Sequence, residues 1–195
     1  MARSTPQAAF EAAQGAMARG DWEGFFACLH RTDLLRLGAV ALAGLSHPGL
    51  EAPLRALCLE LGLPPADLEG LARQAPELQA SAAAVLASPA DRARSLRHRD
   101  LVKAQAREKE AALQRLTDLA SFNARAERLK REVLGGGSVS ATLFVGETLH
   151  EVVVRGERAT GLRRAPRGAG VPVGFARTRG EWCVQLLPAR LGRPR

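Results

Sequence analysis

Tyrosine is absent from this chain of 195 residues, and aromatic residues make up only 4% of it. Single-stranded nucleic acids are bound largely by stacking of bases on aromatic rings, so the scarcity of rings argues against that class of binding protein. Lysine is also rare, because the 28 basic residues comprise 25 Arg and 3 Lys. We attribute this ratio to genome composition.

Cysteines and long apolar runs are equally few. Cys28, Cys58 and Cys183 are far apart, show no Cys-x-x-Cys spacing and form an odd number, which predicts buried free thiols. The longest uncharged stretches, such as 37–50, contain Gly, His and Pro and are too short to span a membrane. The N-terminus also lacks the apolar stretch of a secretory signal. We therefore expect a cytoplasmic protein without a membrane partner.

The remaining composition is that of a globular domain, with 46% apolar and 25% charged residues. The formal net charge is +8, and residues 138–195 contain ten Arg against four Glu. The surplus of positive charge therefore lies in the C-terminal part. Such an asymmetry can attract an acidic partner, which could be a nucleic acid, an anionic lipid or a protein.

The first third of the sequence predicts helices. Thr5 and Pro6 are typical of a helix start, and Asp21 after Gly20 predicts the cap of a second, short helix. We assign 1–48 to the N-terminal helices of an α+β domain and 49–134 to a helical insertion.

That insertion ends in a long predicted helix over 89–134. A helix of this length would extend about 70 Å, so we expect a break or an exposed overhang. Its first half carries a stripe of cations on one face: Arg92, Arg99, Lys103 and Arg107. The stripe is either a solvated face or a surface that follows phosphates.

After three glycines at 135–137, the apolar period changes to two and predicts an antiparallel sheet over 138–188. Gly146 and Glu147 predict a tight turn between strands 138–145 and 148–155, which would place His150 on the apolar face. A second hairpin around 179–180 pairs Arg177 with Trp182. Segment 158–164 is a weaker strand candidate, and 189–195 is expected to be a mobile tail.

The expected fold is α+β: N-terminal helices packed on a curved antiparallel sheet of four to five strands, with a long helical insertion. Two short motifs, Gly20-Asp21-Trp22 and the strand 180–186 that begins Gly-Glu-Trp, resemble the nuclear transport factor 2-like superfamily, whose members have a cystatin-like α+β cone. The resemblance covers about 5–45 and 138–188. It implies a pocket between sheet and helices and a homodimer formed through the outer face of the sheet.

Motifs for catalysis are scarce. The four His residues have no metal-ligand spacing, and the three glycines follow a helix rather than a strand, so neither a metal nor a nucleotide cofactor is expected. A ketosteroid-isomerase-like isomerase or dehydratase needs a base inside an apolar pocket. His150 is the best candidate for that base and Asp33 a weaker one.

We therefore expect a non-catalytic protein that binds a protein partner or a small apolar ligand. The residues expected to line the pocket are Phe25, Phe26, Leu29, Leu143, His150 and Val152. Those expected to bind a partner are Arg163, Arg164, Arg167, Arg177 and Trp182. The alternatives are the isomerase or dehydratase with His150 as base, and a nucleic-acid-associated protein that uses the Arg-rich surface.

Overall fold

A computed structural model of the chain describes residues 3–88, 90–166 and 168–186. They form an α+β protein, with helices first and a four-stranded antiparallel sheet last, which confirms the predicted fold class. The helices are α1 Pro6–Ala18, α2 Trp22–Ala27, α3 Arg31–Leu42, α4 Glu51–Glu60, α5 Pro65–Arg73, α6 Ala75–Ala87, α7 Arg92–Leu113 and α8 Leu119–Leu134, with a 3₁₀ turn at Ala43–Ser46. The strands are β1 Thr148–Arg155, β2 Arg158–Arg164, β3 Val171–Thr178 and β4 Glu181–Gln185.

The chain divides into two compact units. The first consists of the segments Met1–Leu34 and Val139–Arg195, and the second of Leu35–Ser138. Among the helices of the described residues, none has both the length and the apolarity that a membrane span requires.

The helices of the first unit begin as the sequence predicts. The Thr5 hydroxyl accepts a hydrogen bond from the Ala8 N–H at 3.1 Å, and the Asp21 carboxylate accepts one from the Gly24 N–H at 2.8 Å. Both are N-caps that satisfy backbone donors at a helix start. α1 contacts β1 and β4, so it lies across one face of the sheet, here called the inner face.

The sheet has the strand order β1-β2-β3-β4. The hairpin predicted around 179–180 is confirmed, since Arg177 pairs with Trp182. Arg179 and Gly180 have φ values of 52° and 85°, and two successive positive values are typical of the type I′ turn that suits the twist of a hairpin.

The predicted first hairpin is wrong. Residues 141–146 form successive turns instead of a strand, so the sheet begins at Thr148 rather than at 138. β1 pairs with β2, the segment 158–164, across a tight turn in which Gly156 has a φ of 58°. The cause lies in Phe144, which is fully buried, and in the Gln14 amide, which donates to the backbone oxygens of Phe144 at 2.8 Å and Glu147 at 2.6 Å.

β1 contains a bulge. His150 pairs with Leu162, but Val153 pairs with Thr160, so β1 has one extra residue between these two pairs. Glu151 takes up the extra residue with a φ of 53°. A bulge of this kind bends a strand and increases its twist.

In the second unit, the long helix predicted over 89–134 has the break that its length led us to expect and is two helices, α7 and α8; Pro89 itself lies outside the described residues. The break falls where Asp118 accepts a hydrogen bond from the Ser121 N–H at 2.9 Å and so caps α8. Leu113 and Leu116 are buried beside the break. The Asp118 cap and the two buried leucines therefore fix a break at a place where a single straight helix would continue as an overhang.

The three glycines that follow α8 are fixed by contacts with the last turns of that helix. Gly135 has a φ of 69° and forms the left-handed C-cap of α8. The buried Glu127 carboxylate accepts hydrogen bonds from the Ser138 N–H at 2.9 Å and from Arg131 at 2.8 Å. A Cβ at Gly137 would lie 1.8 Å from Glu127 Oε1, so any other residue there would displace the Glu127 carboxylate.

Candidate functional site

The predicted pocket residues do not converge. Phe25, Phe26 and Leu29 are buried, Leu143 is half-buried, and His150 and Val152 are exposed on β1. Phe144 packs against the helix residues instead, with its ring centroid 5.0 Å from that of Phe10 and 6.2 Å from that of Phe25. The chain therefore inserts the residue after Leu143 into the core.

His150 lies on the outer face of the sheet, and its predicted place on the apolar face is wrong. It is exposed, and its Nε2 is 2.7 Å from the Thr148 hydroxyl. The reason is the bulge in β1, because the extra residue at Glu151 puts His150 on the face opposite to Val154, whereas regular alternation would place the two on the same face. An isomerase base lies inside an apolar pocket, and the exposed imidazole of His150 does not.

Asp33 stabilises the end of β4. Its carboxylate is buried and accepts a hydrogen bond from the Leu186 N–H at 2.9 Å. β4 and β1 are the two edge strands, and three spacings of about 4.8 Å separate them by roughly 14 Å. Asp33 and His150 therefore do not form a common site.

Arg163 is engaged within the first unit. One guanidinium nitrogen lies 2.7 and 2.8 Å from the two carboxylate oxygens of Glu147, and the group lies 5.3 Å from the centre of the Phe144 ring. Both charged side chains are largely covered. This arginine therefore fastens the turns before β1 to β2.

The other residues predicted to bind a partner differ in exposure. Arg164 is exposed and lies 3.1 Å from Glu151. Arg177 is exposed, donates to the Gly180 oxygen at 3.2 Å and lies 3.8 Å from Glu157. Trp182 is only 5% exposed and belongs to the core. Arg167 lies outside the described residues.

The cysteines are free, and Cys28 and Cys58 are buried as predicted, whereas Cys183 is half-buried. Burial raises the pKa of the Cys58 thiol to about 12. Burial also raises the pKa of Cys28 and of Cys183, against the opposing effect of Arg3. A raised pKa disfavours the thiolate, which is the nucleophilic form. Among the residues that the structure describes, no group of three or more His, Cys, Asp or Glu could hold a metal ion.

The cavity between α1 and α2 has a volume of about 470 Å³. It is lined by Arg3, Ala8, Glu11, Ala12, Gly15, Ala16, Arg19, Asp21, Gly24 and Cys28. None of the predicted pocket residues lines it, and apart from four charged residues its lining consists of Ala, Gly and Cys. Two cationic and two anionic side chains line the cavity, so its charge favours neither an anionic nor a cationic ligand.

The edge formed by β4 is closed by the chain itself. The Val184 N–H donates to the Cys28 oxygen at 2.9 Å, and the Val184 oxygen accepts from the His30 N–H at 2.8 Å. Further along the strand, the Trp182 N–H donates to the Arg3 oxygen at 2.9 Å. With Asp33 at Leu186, the outward-facing N–H groups of alternate residues along β4 are satisfied.

The edge formed by β1 is open. β1 is the terminal strand of the sheet, and no other described residue pairs with its outer side. Its valines are exposed: Val152 by 37%, Val153 by 50% and Val154 by 53%. Sequence reasoning missed this edge because it placed 148–155 between two other strands, although the run of three valines marked it.

The charges on β1 flank these valines. Val154 lies in register with the buried Ala159 and Phe175 and so belongs to the inner face, which leaves Arg155 on the outer face. Arg155 pairs with Arg158 on β2. Within the described part of the chain, neither of these two arginines has an ion-pair partner.

Comparison of the chain with protein-family models, with curated proteins and with solved structures gives no match.

Proposed function

We propose that this protein is a non-catalytic docking domain that binds a protein partner by adding a strand at the outer side of β1. The observation that carries the proposal is the contrast between its two sheet edges, one closed by backbone hydrogen bonds and one open and rich in valine. In strand addition, backbone hydrogen bonds supply affinity and alternate side chains supply specificity.

An unprotected edge is exceptional in folded proteins. Natural edges are usually blunted by lysine, by proline, by inward charges or by a covering segment. Between 152 and 154, β1 has none of these, and only the bulge at Glu151 interrupts it. Val153 and Val154 are each about half exposed, so covering both would contribute on the order of 1.5–3 kcal/mol.

The proposal keeps the nuclear transport factor 2-like scaffold as its architecture. The Asp21 cap of α2 and the contacts of α1 with β1 and β4 support that resemblance. The small-ligand version of the proposal has less support, because Phe144 occupies the interior position where a pocket was expected.

Two alternatives have weaker support. The isomerase hypothesis loses its base, since His150 is exposed and hydrogen-bonded to Thr148. The nucleic-acid hypothesis depends on the cation stripe of α7, but Asp100 lies 3.9 Å from Arg99 and 3.8 Å from Lys103. An acid between two cations weakens their attraction for phosphate.

The proposal is tested by photo-cross-linking in cells that express the full chain. A photoreactive phenylalanine at Val153 is compared with the same residue at Thr178, which is exposed on β3 near the closed edge. We expect a discrete protein adduct, either with another protein or with the same chain, from position 153 and not from position 178. Equal labelling from both positions, or none from 153, would overturn the proposal.

A proline variant tests whether the partner binds through backbone hydrogen bonds at the open edge. Arg155 and Arg158 close a two-residue hairpin, so their backbone groups face each other, and the N–H of Val154 points away from β2. Val154→Pro therefore removes a donor from the open edge without removing one from the sheet. We expect an unchanged melting temperature and a lost adduct at 153.

A further inference from the structure

β1 carries opposite charges at equal distances from its centre. Glu151 and Arg155 lie two residues before and two residues after Val153. Both side chains are on the outer face: Arg155 by its register with Arg158, and Glu151 because its carboxylate lies 3.1 Å from Arg164, which is two residues from the outer-face Leu162. A strand with an acid and a base placed symmetrically about its centre is complementary to itself when antiparallel.

We propose that the partner bound at β1 is a second copy of this chain, paired antiparallel about a two-fold axis at Val153. This inference rests on the proposed function and names the occupant of the same edge. The pairing places Glu151 of each copy opposite Arg155 of the other. It also supplies an acid to Arg155, which in the single chain faces another arginine. Opposite charges directly across a strand pair are stabilising, and like charges are destabilising.

The valines fit the same register. Val153 meets its own copy on the outer face, while Val152 meets Val154 of the other copy at the same edge. Val153 and Val154, which are 50% and 53% exposed in the single chain, are thus covered by the second copy. The two sheets join into one of eight strands.

Neighbouring registers lose this complementarity. Residues directly opposite each other in an antiparallel pair lie on the same face of the sheet, so the two-fold axis must pass through a residue position. The neighbouring positions are Val152 and Val154. An axis at Val152 puts Glu151 opposite Val153, and an axis at Val154 puts Glu151 opposite Glu157. Only the axis at Val153 forms two ion pairs.

The bulge at Glu151 limits the pairing to a short stretch. About the axis at Val153, the regular residues Val153–Arg155 of each copy face Glu151–Val153 of the other, which contain the bulge, so few backbone hydrogen bonds join the copies. The ion pairs and valines then decide whether the copies associate. For this reason, association should weaken with ionic strength, because exposed charges are screened.

The test is sedimentation equilibrium of the full chain and of charge-reversed variants. We expect a reversible dimer, at least tenfold weaker in Glu151→Lys and in Arg155→Glu, since each single reversal creates two like-charge contacts. The double variant Glu151→Lys/Arg155→Glu should return to within about threefold of the original. Glu132→Lys, an exposed reversal in α8 with the same change of net charge as Glu151→Lys, should leave the dimer unchanged.

A second measurement guards against variants that fold poorly. Val153→Cys lies on the axis, where facing Cβ atoms are about 4.5–5.5 Å apart, within reach of a small backbone adjustment to disulfide geometry. Under mild oxidation by dissolved oxygen, it should cross-link two chains, whereas Val171→Cys, at an exposed site on β3, should not. Equal cross-linking at both positions would overturn the proposal.

The outcomes separate this inference from the function on which it rests. A dimer that ignores both charge reversals pairs through another surface, such as the outer face of the sheet, and overturns the inference. A monomer whose position 153 cross-links to a different protein overturns the second copy but retains the docking edge. A monomer without any adduct overturns both.

Discussion

The two edge strands of the sheet have opposite relations to the rest of the chain. β4 lies against the segments around Arg3 and Cys28–His30, which satisfy its outward backbone groups. β1 is left with exposed valines and no strand beside it. An edge that is covered by its own chain contributes to folding, whereas an open apolar edge is available for association.

This contrast also separates two kinds of charged residue. At the closed edge, Asp33 and Glu181 bond to specific backbone or side-chain donors. At the open edge, Arg155 and Arg158 face each other without an acid among the described residues. Charges that are satisfied internally stabilise the fold, and those that are not remain available to a partner.

The largest expected effect concerns the turns that deliver the chain to β1. Phe144→Ala should lower the free energy of unfolding by about 3–5 kcal/mol, because it removes a fully buried ring that contacts Phe10 and Phe25. Leu143→Ala should cost less than about 1.5 kcal/mol, since Leu143 is only half-buried. Urea denaturation of both variants measures the difference. The reverse order would mean that 138–145 is a strand with Leu143 inside.

The two predicted hairpins show which parts of the fold can be predicted from the sequence. The α+β class, the caps at Thr5 and Asp21 and the hairpin at 179–180 follow from local signals that the structure confirms. The first hairpin does not follow from local signals, because Gly146-Glu147 and Gly156-Glu157 are equally good local turns. The choice between them depends on long-range contacts of Phe144 and Gln14, which no local pattern reveals.

The candidate site was harder to predict for the same reason. A bulge reverses the face of the side chains on one side of it, and no local pattern reveals the bulge at Glu151 that puts His150 on the outer face. The valines lie at an open edge because residues 141–146 form turns and do not pair with β1. Asp33 is the weaker candidate for the base in the sequence, and the hydrogen bond that it accepts from Leu186 joins residues 153 positions apart. Such a contact is visible only after folding.

A smaller effect is expected at the closed edge. Asp33→Ala should lower the free energy of unfolding by about 1–3 kcal/mol, because the Leu186 N–H loses its acceptor at the end of β4. Asp33→Asn keeps an acceptor oxygen and should cost less. His150→Ala at the open edge should change stability by less than about 0.5 kcal/mol, as its side chain is exposed. Equal losses from Asp33→Ala and His150→Ala in thermal denaturation would contradict the contrast between the edges.

The smallest effect is the pH dependence of the Arg3–Glu181 pair, which holds the N-terminal segment beside β4. Arg3 donates to the Glu181 carboxylate at 2.6 Å, and this hydrogen bond lowers the pKa of Glu181 below its ordinary value. A carboxyl group with a lowered pKa in the folded state stabilises the protein above its unfolded pKa, near 4.3, and loses that contribution as pH falls through the folded value. Glu181→Gln should therefore melt below the original protein at pH 6, and the gap should close as the pH falls below the unfolded pKa and through the lowered folded one. Because 43% of the Glu181 side chain is exposed to solvent, the gap should also shrink in high salt. A gap that stays constant over this range would mean that the charge of Glu181 contributes nothing to closing the β4 edge.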